Sequence, residues 1–188
     1  MDETTVQVLK EEGRKPEAKS YMWVQRGGPP DKRIILFDYS PSRGSKVPME
    51  LLVDYQGFLQ TDGYAGYEAI EAVPGVVRMG CMAHARRKFH EAMRAVGKKK
   101  RASCLAVQAL EKISRLYAIE KQLRQDNATV EKKFKVRNDK ARPILDDLRE
   151  WLDNVRPGVL KSSATGKALN YLHEQWERLI LYLDDGRL

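Results

Sequence analysis

Cysteine is scarce in this chain: Cys81 and Cys104 are the two present among 188 residues. Two cysteines do not make a disulfide framework, so a packed core has to hold the fold, and a reducing cytoplasm is the expected compartment. Long apolar runs are missing as well. No stretch approaches the ~20 residues of a membrane span, which argues against a membrane protein. The opening MDETTVQVLKEE is acidic and polar and lacks the marks of a signal peptide. No internal repeat period is evident. A hydrophobic content of 42% excludes wholesale disorder, and the length suits one domain or one domain with a sizeable insertion.

Charge is present and unevenly placed. The net charge is +8, yet residues 1–97 hold 14 Lys/Arg against 13 Asp/Glu, whereas residues 98–188 hold 20 against 13. A basic excess in one half is the pattern expected of a polyanion binder, and it also occurs on ordinary helical surfaces.

The first half alternates short strand-like and helix-like pieces. TTVQVLK, SYMWVQR and RIILFDYS read as strands, the latter two separated by the turn signal GGPPDK. MELLVDY has helical spacing at Met49, Leu52 and Val53. GFLQT is a short fourth strand, YAGYEAIEAV a helix ended by Pro74-Gly75, and VVRMGC a fifth strand. Apolar stripes then mark helices: Met82, Ala85, Phe89, Ala92, Met93, Val96; Leu105, Ala109, Ile113, Leu116, Leu123; Ile144, Leu148, Trp151, Leu152, Val155 behind Pro143; and Ala168, Leu172, Trp176, Leu179, Leu183 behind the cap candidates Ser162 and Ser163. Residues 128–141 are weakly patterned and read as helical. Trp23, Trp151 and Trp176 fall on apolar faces and belong to the core reading.

Within QTDGYAGY, Asp62 follows the fourth strand. Asp-Gly is turn chemistry, because Asp bonds its own backbone and Gly accepts positive φ. The element order supplies a second role. Three strands that can pair antiparallel, then two separated by helical crossovers, resemble the ribonuclease-H-like fold, an α/β class with a mixed five-stranded sheet. In that fold an acid on strand 1 meets an acid at the end of strand 4, here Asp2 and Asp62. Two converging carboxylates repel, and a divalent cation relieves the repulsion.

The ordered strings DETTVQVL, MWV, YSPSRG, GFLQTDGYAGY, GCMAHARRKFHEA, LYAIE and KALNYLHEQWERLILYLDDGRL resemble the transposase of the insertion sequence 66 family, a DDE-type transposase. The resemblance runs over nearly the whole chain. It departs at Thr5, where the family usually has Pro, and at Met82, where it usually has Trp. It implies a catalytic core over residues 1–98, truncated, and a helical insertion region over residues 99–188. It also implies metal-dependent strand cleavage and transfer at transposon ends and target DNA, with Mg²⁺ or Mn²⁺ in a two-metal site. Asp2 and Asp62 carry over as catalytic and metal-binding acids. The third acid, a Glu in an Asn-Asn-x-x-Glu-Arg motif, is expected beyond Leu188. This chain alone is therefore expected to be inactive, its metal site weak or empty, and its missing N- and C-terminal parts and a homo-oligomer are the expected partners besides nucleoid DNA. Asp184 and Asp185 read instead as a helix-end turn.

Two further features remain. Cys81 and His84 form C-x-x-H, too few ligands for a structural zinc by sequence; the resemblance, whose ribonuclease-H-like relatives carry such a pair after the fifth strand, implies a structural role beside the site. Residues 84–101 hold eight Lys/Arg and one acid. His84, Arg86, Arg87, Lys88, Arg94, Lys98, Lys99, Lys100 and Arg101, with Arg43 in SPSRG, are the candidate phosphate contacts. The competing readings are a non-catalytic DNA-binding or regulatory protein of the same fold, and a ribonuclease-H-like nuclease or resolvase.

Overall fold

The computed structural model describes residues 1–29, 32–97 and 102–188. The chain forms two compact units, Met1–Met79 and Gly80–Leu188.

The first unit opens with an antiparallel meander: β1 (Asp2–Gln7), β2 (Lys19–Gly27) and β3 (Ile34–Ser40), in the order β1-β2-β3. Register sets what each residue faces. Glu3 lies opposite Trp23, and Asp2 opposite Val24. Side chains alternate between faces, so Glu3 shares the face of Trp23, which is fully buried, and Asp2 points to the other face. At the β2–β3 turn Gly28 has φ +85, and a Cβ there would meet the Lys32 carbonyl at 2.3 Å, so the turn requires glycine.

A short helix α1 (Lys46–Leu51) follows, then β4 (Gly57–Thr61) and β5 (Val76–Gly80), which pair in parallel as a second sheet. The Gly57 amide donates to the Gly75 carbonyl at 2.8 Å, aligning the two strand starts. The sequence reading expected one five-stranded sheet. Among the described residues no ladder joins β1 to β4: the α/β class is seen, as two small sheets, and a five-stranded sheet is not. Beside the start of β1 the Met1 amino group donates to the Gln60 carbonyl of β4 at 2.8 Å. Two local readings also shift. Val53 is 73% exposed, because α1 starts earlier and Asp54, at φ 60, turns the chain away. The segment Ala65–Ala72 is a 3₁₀ helix, where an α-helix was expected. Trp23, Leu52, Leu59, Tyr67, Ile70 and Val76 form the core of this unit.

The second unit is helical: α2 (Met82–Ala95), α3 (Leu105–Gln125), α4 (Val130–Val136), α5 (Arg142–Val155), α6 (Ala164–Glu174) and α7 (Trp176–Ile180). Most of the stripe residues read from sequence make its core, with Val96, Leu105 and Leu123 outside the cluster: Ala85, Phe89 and Ala92 of α2 pack with Ala109 and Ile113 of α3, Leu148 and Leu152 of α5, and Ala168 and Leu172 of α6. Each large buried side chain contributes about 1.5–3 kcal/mol over leaving it exposed. Ser163 caps α6, accepting from the Gly166 amide at 3.0 Å. A π-helical turn, Arg137–Ala141, links α4 to α5. There Arg137, 3% exposed, donates to both carboxylate oxygens of Glu120 at 2.8 and 2.9 Å. It also donates to the carbonyls of Tyr182, Asp185 and Leu188. No helix among the described residues is long and apolar enough to cross a membrane.

Candidate functional site

The turn after β4 is built by Asp62 itself. Its Oδ1 accepts from the Tyr64 amide at 2.9 Å, the side-chain bond expected of an Asp-Gly turn. Arg78 secures the same point from β5. It is 5% exposed and donates from Nε to the Thr61 hydroxyl, from Nη1 to Glu71 and from Nη2 to the Asp62 carbonyl, each at 2.9 Å. A buried guanidinium is tolerable only with such partners.

Asp2 begins β1 and accepts the Glu3 amide at 3.0 Å. A carboxylate oxygen of Asp2 and one of Asp62 lie within 4.8 Å of each other. An octahedral Mg²⁺ with oxygens at about 2.1 Å holds two ligand oxygens roughly 3 to 4.2 Å apart. The pair therefore fits a hard divalent cation after no more than a small side-chain rotation. Asp2 is exposed and Asp62 half-buried, which leaves room for a hydrated ion.

Behind the pair is a network that sequence reasoning missed. The Glu3 side chain is 1% exposed; Arg43 donates to its Oε1 at 2.7 Å and the Tyr67 hydroxyl donates to its Oε2. The Arg43 guanidinium lies 3.7 Å from the centre of the Tyr64 ring, and the Tyr64 hydroxyl donates back to the Arg43 carbonyl at 3.1 Å. Tyr67 meets Trp23 and Tyr64 edge-on, at 5.9 and 6.0 Å. Burial, then the bond to Glu3 and the charges of Glu3, Asp62 and Asp2, hold the Tyr67 phenol well above the ordinary tyrosine range. Gly66 is required here, since a Cβ would strike the Tyr64 ring at 2.2 Å. Signals existed: Glu3 alternates with Asp2 onto the tryptophan face, and Arg78 interrupts an otherwise apolar strand.

The other candidates are distributed as follows. Arg43 is 40% exposed at its side chain, with its guanidinium held by Glu3. On α2, Arg86, Arg87 and Arg94 are exposed, whereas His84 and Lys88 are half-buried. Arg86 lies over Tyr117 at 5.6 Å and Lys88 over Tyr171 at 4.8 Å. Burial, then Arg86 and Arg94, push His90 below the usual histidine value. Lys98, Lys99, Lys100 and Arg101 lie outside the described residues. Cys81 takes the N-cap position of α2, and its carbonyl accepts the His84 amide at 3.0 Å. Asp185 accepts the Arg187 amide at 2.8 Å and pairs with the Arg187 guanidinium; those bonds hold its carboxyl at about 2.

Fold and site together define an α/β protein with an acid pair able to hold a divalent cation and a separately packed helical unit with a basic first helix. The particular family follows from comparison: the chain belongs to the Transposase IS66 family, which matches residues 1–188. Among similar curated proteins, all from Sinorhizobium fredii, uncharacterized protein y4hP is 34% identical over 86% of this chain and 31% of its own length. Uncharacterized proteins y4jD and y4qI are 28% and 27% identical over all of this chain and 37% and 35% of theirs. The chain thus spans about a third of the length of the curated relatives it matches. No solved structure matches.

Proposed function

We propose that this chain contributes two of the catalytic acids, and part of the DNA-binding surface, of a DNA transposase with a ribonuclease-H-like core over residues 1–98 and a helical insertion over residues 99–188. One observation carries the reading: Asp2 and Asp62, sixty positions apart in sequence, bring their carboxylates within 4.8 Å. In this role the two carboxylates hold Mg²⁺ or Mn²⁺. A bound pair of such ions supplies charge stabilisation to the attacking and leaving oxygens of an in-line phosphoryl transfer. The Asp62 turn and Arg78 keep one carboxylate in place, and the β1 register keeps the other. Exposed Arg86, Arg87 and Arg94 neutralise phosphates along the duplex, and Arg43 is a further phosphate candidate.

Among the described residues of the first unit, no third carboxylate joins the pair. A two-metal site needs one, and relatives three times as long have room to supply it. The 188 residues alone are therefore expected to bind the cation weakly and not to cut DNA. The test is Mn²⁺ titration of the wild type, Asp2→Asn and Asp62→Asn, alongside a donor-end cleavage assay. Weak binding lost in both variants supports the reading. Affinity unchanged in both overturns it, and DNA binding without any cation dependence then favours the non-catalytic alternative.

A further inference from the structure

We infer that Glu3, Tyr67 and Tyr64 form a positioning network that sets the spacing of the Asp2 and Asp62 carboxylates; the inference rests on reading those two acids as cation ligands. Burying a carboxylate is costly unless it is paired and hydrogen-bonded. Glu3 is both, through Arg43 and Tyr67. Its partners close a ring: Glu3 to Arg43, Arg43 onto the face of Tyr64, Tyr64 edge-on to Tyr67, and Tyr67 back to Glu3.

Each candidate ligand is attached to this ring through the backbone. Asp2 is one residue from Glu3, about 3.8 Å between Cα atoms, and faces the opposite side of β1. Asp62 is held by the amide of Tyr64, whose ring and hydroxyl both contact Arg43. Fixing Glu3 and Tyr64 relative to each other therefore fixes where the two carboxylates stand. The ring is made by residues of β1, the loop before α1, and the segment after β4, which have no strand ladder between them among the described residues. It supplies side-chain links where the backbone supplies no ladder. Gly66 belongs to the same device, because only glycine lets the Tyr64 ring lie where it does.

Tyr67→Phe is the informative change, since it keeps every charge and the ring packing and removes only the hydroxyl. Glu3→Gln is less clean, because it also removes a negative charge near the cation. Arg43→Ala would confound positioning with phosphate contact. Partners of metal ligands typically contribute 10–100-fold to metal affinity, and this one acts a step further out, so a loss of about tenfold is expected. Mn²⁺ binding is measured by electron paramagnetic resonance on the 188-residue chain and on Tyr67→Phe, Tyr64→Phe, Asp2→Asn and Asp62→Asn. Amide exchange of Tyr64 in the metal-free protein reports the bond to Asp62. The inference expects weaker Mn²⁺ binding and faster Tyr64 exchange in Tyr67→Phe, with a native circular dichroism spectrum. Should Tyr67→Phe not fold, Tyr64→Phe, which loses the hydrogen bond to the Arg43 carbonyl that braces the ring, carries the test with the same expectation. Wild-type affinity and exchange in the folded tyrosine variants, with binding lost in Asp62→Asn, overturns the network's role and leaves the acid pair standing. Unchanged binding in both aspartate variants overturns the acid pair and the inference with it.

Discussion

Asp62 accepts the Tyr64 amide through Oδ1 at 2.9 Å, so the side chain that makes the turn is also the one proposed above as a cation ligand. Turn and ligand are not alternatives at this position. They become separable by substitution. Asp62→Asn keeps an oxygen acceptor for the Tyr64 amide and removes the charge; Asp62→Ala removes both. The asparagine variant is expected to unfold within about 0.5 kcal/mol of wild type in urea, and the alanine variant about 1 kcal/mol lower, the usual net worth of one such bond. Both are expected to lose Mn²⁺ binding.

Arg137 holds Glu120 and three carbonyls of the C-terminal segment from a position that is 3% exposed. Removing one partner of a buried ion pair leaves the other charge uncompensated. Arg137→Ala is expected to destabilise the helical unit by about 3 kcal/mol or more, read as a shift of the urea midpoint. Lysine cannot reproduce the two parallel bonds to Glu120, so Arg137→Lys is expected to recover only part of that loss.

The α2 face gives a salt prediction. Lys88 lies over Tyr171, whereas Arg87 and Arg94 are exposed, which makes the two arginines the cleaner probes. Each phosphate contact removed lowers the slope of log K against log salt by about 0.9. Arg87→Ala with Arg94→Ala is expected to flatten that slope by up to about 1.8, equally for unrelated duplexes. An unchanged slope places the phosphate contacts on other residues.

Tyr182 gives a pH prediction. Burial, and then the charge of Glu120, push its phenol up to about 12, while Arg137 pulls the other way. The unfolded chain releases this proton near pH ~10 and the folded chain only near the higher value. Between those limits the unfolded state binds fewer protons, so stability falls as pH rises through the window. Tyr182→Phe is expected to remove part of that alkaline loss and to leave stability at pH 7 to 9 nearly unchanged, as followed by urea midpoints from pH 8 to 12. Tyr67, raised further by burial and Glu3, contributes in the same direction and accounts for loss that remains.

The sequence by itself determined the local elements. Strand alternation in SYMWVQR and the apolar stripes of α2, α3, α5 and α6 depend on periods of two and 3.6 residues, which are written into any short window. The Asp-Gly turn and the Ser163 cap depend on bonds reaching two or three residues. The acid pair was legible only through resemblance, of the element order to a fold and of the strings to a family, because no periodicity links residue 2 to residue 62. Tertiary structure alone decided the rest. Glu3 is buried because register sets it opposite Trp23. Whether β1 and β4 share a sheet depends on long-range pairing, and here the two sheets stay distinct. Arg137 becomes a hub only because the chain returns to it some 45–51 positions later. A charged side chain in an exposed-looking helix pattern reads as solvated until the fold brings it a buried partner, since burial is a property of neighbours distant along the chain and not of the residue itself.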